Sequence, residues 1–444
     1  MGAVLSFFKQ LGTEVGTAIG TGQVRNLSVF QHLMQLLIMM VLIVGLSFYV
    51  YYVIKDCAKE PRTSQPAVAL AIQNRTVKYV GSGKDVFWEG AKGWNGLLSQ
   101  LQGRQNYLIN LCPLTMHLAG YMGPFDNGIF QPALFLQKAL RAGCRSFVLP
   151  ISTYKDDNKR PPIWPYSGKP AIVCRNTTGN IVSMNGISVF DFTKALSQYY
   201  TANGAQAKEP LLLFLHQVDP YVPDPVKEER QYAMFMHQIA LDLEPIRNRC
   251  LKTIGQLGSV VGATKENDLL TNVELSQFVD KIIIFTNFNI KICVKDAYAG
   301  LTPSLYEYAN FNYLPVVESQ VTQGITVGSR MLRMTDISGS KVNWTDQSRA
   351  VWHSTLLDDP SIVPSPAQAF NAMLTGIQCV PISYFSNVEY TKPIWETWDG
   401  YAWKLKEPAT RFTKPDSIVP AKPGEQMNAR ASPELQPGQV KIGE

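Results

Sequence analysis

The sequence predicts an α/β fold with a parallel sheet, set behind one long apolar helix. Three observations carry that prediction. Residues 106–152 read as strand, loop, helix, strand with each boundary marked. Leu211–Gln217 and Lys281–Asn287 repeat the buried-strand pattern on either side of a helix at Lys227–Leu243. Leu33–Ile54 carries no charge. Strands joined through helices need crossover connections, and crossovers give parallel pairing.

In chain order, residues 1–32 form a mostly small and polar arm. Met1-Gly2-Ala3-Val4-Leu5-Ser6 fits the N-myristoylation pattern, which exposes Gly2 for acylation. One acyl chain anchors weakly, so it would supplement the segment that follows. Leu33–Ile54 matches the roughly 20 residues that cross a hydrocarbon core. It lacks the polar face of a surface helix, and Tyr49, Tyr51 and Tyr52 gather at its C-terminal end, where amphipathic rings favour the interface. A single membrane span is expected. Lys55, Lys59 and Arg62 follow it, whereas Arg25 alone precedes it closely, so the positive-inside tendency places the large C-terminal part on the cytosolic side. Residues 55–105 read as a stalk with Pro61 and Pro66 and then a Gly-rich lead-in segment holding Trp88 and Trp94.

Residues 106–408 carry the strand and helix rhythm. Tyr107–Asn110 is expected as the first strand, and Ile129–Ala142 as a helix with Asp126 and Asn127 at its start, Pro132 in its first turn and Gly143 closing it. Arg145–Ile151 and Ala171–Cys174 follow as strands, and Ser188 with Asp191 reads as a capping box opening a helix to about Tyr200. Tyr313–Val317 and Met331–Met334 are weaker strands, and Ser338–Pro360 reads as an insertion. Such alternation fits a doubly wound sheet or a barrel. No GxGxxG or Walker-type loop follows a strand, which removes the main reason to choose a nucleotide-binding sheet. Residues 409–444, with Pro415, Pro420, Pro423, Pro433 and Pro437, read as an extended tail.

Composition narrows the partners. Forty-one basic against 35 acidic residues give a net charge of +6 without a long Lys/Arg run, so nucleic acid is not expected. The 7 cysteines are odd in number and show no close CxxC spacing, which indicates neither a zinc site nor a disulfide framework. No metal and no cofactor is expected.

The order of residues also resembles a family. "YLIN…FLQKALRAGCRSFVL" (107–149) is similar to the opening X-box of phosphatidylinositol-specific phospholipase C, and Gly376–Tyr384 with Asp399–Pro408 to the end of its Y-box. The resemblance implies a distorted TIM (β/α)8 barrel over residues 106–408. It also implies two histidines as acid and base and, in calcium-dependent members, an Asn, two Glu and an Asp on the metal. These positions are emptied here. The first histidine position falls on Pro113 counting from Asn110 or on Leu114 counting back from Leu118, and the adjacent Asn position on Leu114 or Thr115. The Glu-Leu-Asp of the family is Val148-Leu149-Pro150, the second histidine position is Cys174, and Leu-Glu-Asn becomes Leu215-His216-Gln217.

The expectation is therefore a catalytically degenerate, non-enzymatic barrel held at a membrane, binding neighbouring subunits through its surface and tail. That layout is similar to proteins of large double-stranded DNA viruses, which implies a minor capsid role linking an internal membrane to the shell. The alternative is an active phosphodiesterase acting on phosphoinositide head groups through His117 and His216. No carboxylate accompanies these two to orient a ring, since Asp219, close to His216 in sequence, is followed by Pro220 and is expected to turn away, which favours their reading as a loop and a strand-end histidine. Arg145 and Arg175 are the candidates for residual anion binding.

Overall fold

The computed structural model of the 444-residue chain describes residues 27–59, 92, 97, 101, 105–126, 128–153, 169–204, 208–251, 270–315, 329–333, 337, 344–356, 364–386 and 388–415. Gly2, most of the expected stalk and lead-in segment and the tail beyond residue 415 lie outside the described residues. The chain divides into two compact units, Met1–Ala71 and Ile72–Glu444.

In the first unit, α1 (Leu27–Lys59) is a helix of 33 residues. Its side chains are described over residues 35–51, where large apolar groups stand open on every side, Val41 at 65% and Tyr49 at 68% exposure. Ser47 returns its hydroxyl to the Ile43 carbonyl at 2.7 Å, so this polar group is satisfied within the helix. The expected span Leu33–Ile54 lies inside α1. Among the described residues, however, no helix is long and apolar enough to cross a membrane, and a transmembrane segment is not shown.

The second unit is a mixed α/β fold around a parallel sheet. It begins with β1 (Leu111–Met116), the small ribbon of β2 (Tyr121–Met122) and β3 (Ile129–Phe130), α2 (Pro132–Arg141), β4 (Cys144–Thr153) and β5 (Pro170–Ile172). Then come α3 (Val189–Asn203), β6 (Leu211–Gln217), α4 (Glu229–Asp242), β7 (Ile282–Thr286), α5 (Leu305–Tyr308), β8 (Phe311–Pro315) and β9 (Ser329–Arg333). The unit ends with α6 (Trp344–Gln347), β10 (Trp352–Leu356), α7 (Pro366–Leu374), α8 (Val388–Glu396) and β11 (Trp403–Leu405).

Seven of these strands run parallel in the order β10-β9-β8-β7-β6-β4-β1. The segment from Cys379 to Ile382 supplies the eighth position. Cys379 bridges Ser354 of β10 and Ile382 bridges Met116 of β1, both in parallel. Backbone bonds from Thr355 N to Cys379 O (2.8 Å) and from His117 N to Ile382 O (3.0 Å) carry this seam. The sheet therefore closes on itself, which satisfies both of its edges.

Closure separates two cores by the period of two along each strand. Val148, Leu212, Phe214, Ile283, Phe285, Phe311, Trp352 and Cys379 belong to the cluster inside the barrel. Phe147, Leu149, Leu213, Leu215, Ile282 and Ile284 belong to the cluster between strands and helices. Phe214, Phe285 and Phe311 stand in register across β6, β7 and β8, with ring centroids 4.4 and 4.6 Å apart. Stacked pairs of this kind contribute about 0.5–1.5 kcal/mol each beyond area burial, and they close the interior to water.

Several expected boundaries move. Tyr107–Asn110 is not the first strand; Leu108–Asn110 forms a 3-10 turn and the strand follows at Leu111. Pro113 looks like a strand breaker, but here β1 changes partner, from antiparallel β11 to parallel β4, with a register shift at Leu114/Thr115. A missing N–H is tolerated at such an irregularity. The Ala171–Cys174 run becomes β5, which pairs antiparallel to β4 and adds no barrel strand. Ser338–Pro360 is no simple insertion, since it contains β10. The Ser188/Asp191 capping box forms as expected, with Asp191 N donating to Ser188 Oγ at 3.0 Å.

Candidate active site at the barrel mouth

The C-terminal ends of parallel barrel strands form an open rim where side chains from several strands meet. Inward positions on β4 are Ser146, Val148, Pro150 and Ser152, by alternation with the outward Phe147, Leu149 and Ile151. On β6 they are Leu212, Phe214 and His216, and Pro150 stands opposite His216. Asn287 continues the row of Phe285. Its Nδ2 donates to Gln217 O at 3.2 Å, while its Oδ1 accepts from Gln217 N at 2.6 Å, which ties the ends of β6 and β7 together. On β1 the outward Met116 places His117 next in the inward row, and across the seam the outward Ile382 does the same for Ser383.

His117 and His216 are thus brought to one mouth. His117 is 6% and His216 8% exposed. Burial above the phenylalanine layer pushes the His117 imidazole down to about 4. His216 is pushed down to about 3, first by burial and then by the charge of His117. Both rings are neutral near pH 7, and each resists a proton on the other. Behind them, Tyr232 donates to Gln217 Oε1 at 2.6 Å and Gln217 Nε2 donates to Asp219 Oδ1 at 2.6 Å. Asp219 is thereby engaged by the strand-end amide.

The other expected positions disperse. Pro113 pairs with Trp403, and Leu114 packs outward. Val148 is an inward apolar residue of the barrel core. Cys174 is fully buried, with its thiol raised by burial. The expected reading of Arg145 as an anion site is corrected. Its Nε donates to Glu209 at 2.7 Å, and it lies near the start of β4, about 16 Å of strand below Pro150 at ~3.3 Å per residue. Arg175 lies nearer the mouth, donating to Gly179 O (2.7 Å) and Thr153 O (3.0 Å) with its guanidinium 4.0 Å over the Tyr221 ring.

Calcium, which the family resemblance implies, does not fit these residues. A hard cation takes six to eight oxygen ligands, whereas the inward positions of β4 and β6 at the rim are Val148, Pro150, Ser152 and His216, with no carboxylate among them. Among the described residues no group of three or more His, Cys, Asp or Glu could hold a metal ion. Sequence reasoning missed Ser152 and Ser383, whose hydroxyls have no hydrogen-bond partner among the described residues. Alternation from Ser146 reaches Ser152; nothing in the local pattern announces Ser383, whose place comes from the seam.

No protein-family model matches this sequence, and no curated protein does. Solved structures are similar at the level of architecture. PLC21 of L. pealei has a TM-score of 0.47 at 13% identity, over 70% of this chain and 38% of its own. The chain thus spans about two fifths of that protein's length. A calcium-dependent phosphoinositol-specific phospholipase C from a Gram-negative Pseudomonas has a TM-score of 0.38 at 12% identity, over 69% of this chain and 98% of its own. A glycerophosphodiester phosphodiesterase from Parabacteroides distasonis has a TM-score of 0.34 at 10% identity, over 65% and 98%. The expectation of a non-enzymatic chain is corrected by the site itself, where the barrel mouth brings together the buried pair His117 and His216 from the ends of β1 and β6.

Proposed function

We propose that this chain is a phosphodiesterase with a barrel of the phospholipase C type, acting on phosphoinositide or related lipid head groups. The observation that carries the reading is the pair His117 and His216, both buried and inward at the C-terminal ends of β1 and β6. Cleavage of a phosphodiester by a neighbouring hydroxyl needs one group to take the nucleophile's proton and another to give one to the leaving oxygen. Two neutral rings supply the first role at once. A bound phosphodiester anion favours protonation of the pair, and their mutual repulsion limits uptake to a single proton, which leaves one base and one acid.

The exposed apolar side chains of α1 support placing that helix in lipid, which would hold the barrel near its substrate. Its C-terminal end, with Lys55 and Lys59, supports a cytosolic barrel.

The test is turnover. Full-length protein in mixed micelles with head-group-labelled phosphatidylinositol is expected to release labelled water-soluble product without added calcium, and to lose that release in both His117→Ala and His216→Ala. Absence of product from the unsubstituted protein overturns the reading, as does full activity in either variant.

A further inference from the structure

The rim carries two hydroxyls that the acid–base reading leaves unused. Ser152 is 1% and Ser383 6% exposed, and neither Oγ has a hydrogen-bond partner among the described residues; Nδ1 of the 6% exposed His117 is in the same state. Register gathers them. Met116 bridges Ile382, so Ser383 stands opposite His117 across the seam, on segments about 4.8 Å apart. Ser152 lies two positions beyond Pro150, which faces His216 on the neighbouring strand. Its neighbour Thr153 accepts from Nη2 of Arg175 at 3.0 Å, which brings a guanidinium to the same strand end.

A buried hydroxyl without a partner destabilises the fold, so three unpaired polar groups on one rim are explained by a ligand that completes them. Hydroxyl groups donate, the Arg175 guanidinium is positive and the Asp219 carboxylate is already engaged by Gln217, so the matching chemistry is an anionic oxygen. We propose that Ser152 and Ser383 donate hydrogen bonds to the non-bridging oxygens of a bound phosphoryl group, holding it between His117 and His216. The assignment deepens the phosphodiesterase reading and rests on it for its substrate.

The test uses inorganic phosphate with the full-length protein in detergent micelles, following the imidazole NMR signals of His117 and His216. Phosphate is expected to move both signals saturably. Ser152→Ala and Ser383→Ala are each expected to raise the apparent Kd about tenfold, in line with the loss of one charge-assisted hydrogen bond. Their thermal midpoints should be unchanged or higher, because each removes an unpartnered group. Ser152→Thr, which keeps a hydroxyl on the strand, is expected to bind as the unsubstituted protein does. Unchanged affinity in both alanine variants overturns the proposal, and so does phosphate that leaves both signals in place. Weakened phosphate binding without any lipid turnover keeps this site and removes the reaction; turnover that ignores both serines keeps the reaction and removes the site.

Discussion

Two sets of buried polar groups, one where the barrel strands begin and one at the rim, are partnered differently. Where the strands begin, four long side chains are tied to the chain, although Asn106 Oδ1 and Trp344 Nε1 in that region have no partner among the described residues. Asn110 donates to Gln105 O and Phe412 O and accepts from Phe412 N. Gln378 donates to Ile109 O and Ser348 O and accepts from His353 N, while Lys406 Nζ reaches Ser348 O at 2.6 Å. Arg145 is paired with Glu209. At the other end, Ser152, Ser383 and Nδ1 of His117 are buried and have no partner among the described residues. Bonded groups fasten the chain, and unpaired ones are available to a ligand.

Four measurements test that contrast, the most severe first. His216→Ala or His117→Ala should lower phosphatidylinositol turnover by about 10²–10⁴-fold, the usual range for a general acid or base, with little loss of thermal stability. A large fall in Tm with turnover intact would move these histidines into the structural class. Asn110→Ala should do the reverse, costing about 3 kcal/mol in denaturant unfolding, since it strands three backbone groups near the closed end. Loss below about 1 kcal/mol would contradict the bonded picture.

The third measurement is acid unfolding. The folded-state pKa of His117 is lowered from 6.5 to about 4, so the unfolded chain binds more protons between those values. Stability should therefore be full above pH 6.5 and fall as the pH drops toward 4, by on the order of 3 kcal/mol for this group. His117→Gln should flatten that slope, and an unchanged slope would remove the burial argument. Smallest is Lys295→Ala, which breaks an exposed pair with Glu229. It should leave both the thermal midpoint and phosphate binding untouched.

Legibility in the sequence followed how locally each feature is encoded. Leu211–Gln217 was readable because an all-buried parallel strand is a continuous apolar run, and the structure keeps that range. His216 came with it. The α3 start was readable because a capping box is a contact within four residues. β1 was misplaced because Pro113 reads as a stop, and only the exchange of partners beside it makes the proline acceptable. β10 hid inside Ser338–Pro360 because Trp352-His353-Ser354-Thr355 has little apolar pattern, its burial coming from β9 and the seam. The meeting of His117 with Ser383 is a long-range pairing that no window of sequence contains.

The seam also sets an order of assembly. While the chain is being synthesised, β1 through β10 are complete before Cys379 exists, and until then the sheet has two raw borders, one at β1 and one at β10. A product ending in that interval offers both borders to another copy, while Ser383 is absent altogether. Competence and resistance to aggregation should thus arrive together, with the one short stretch from Cys379 to Ser383.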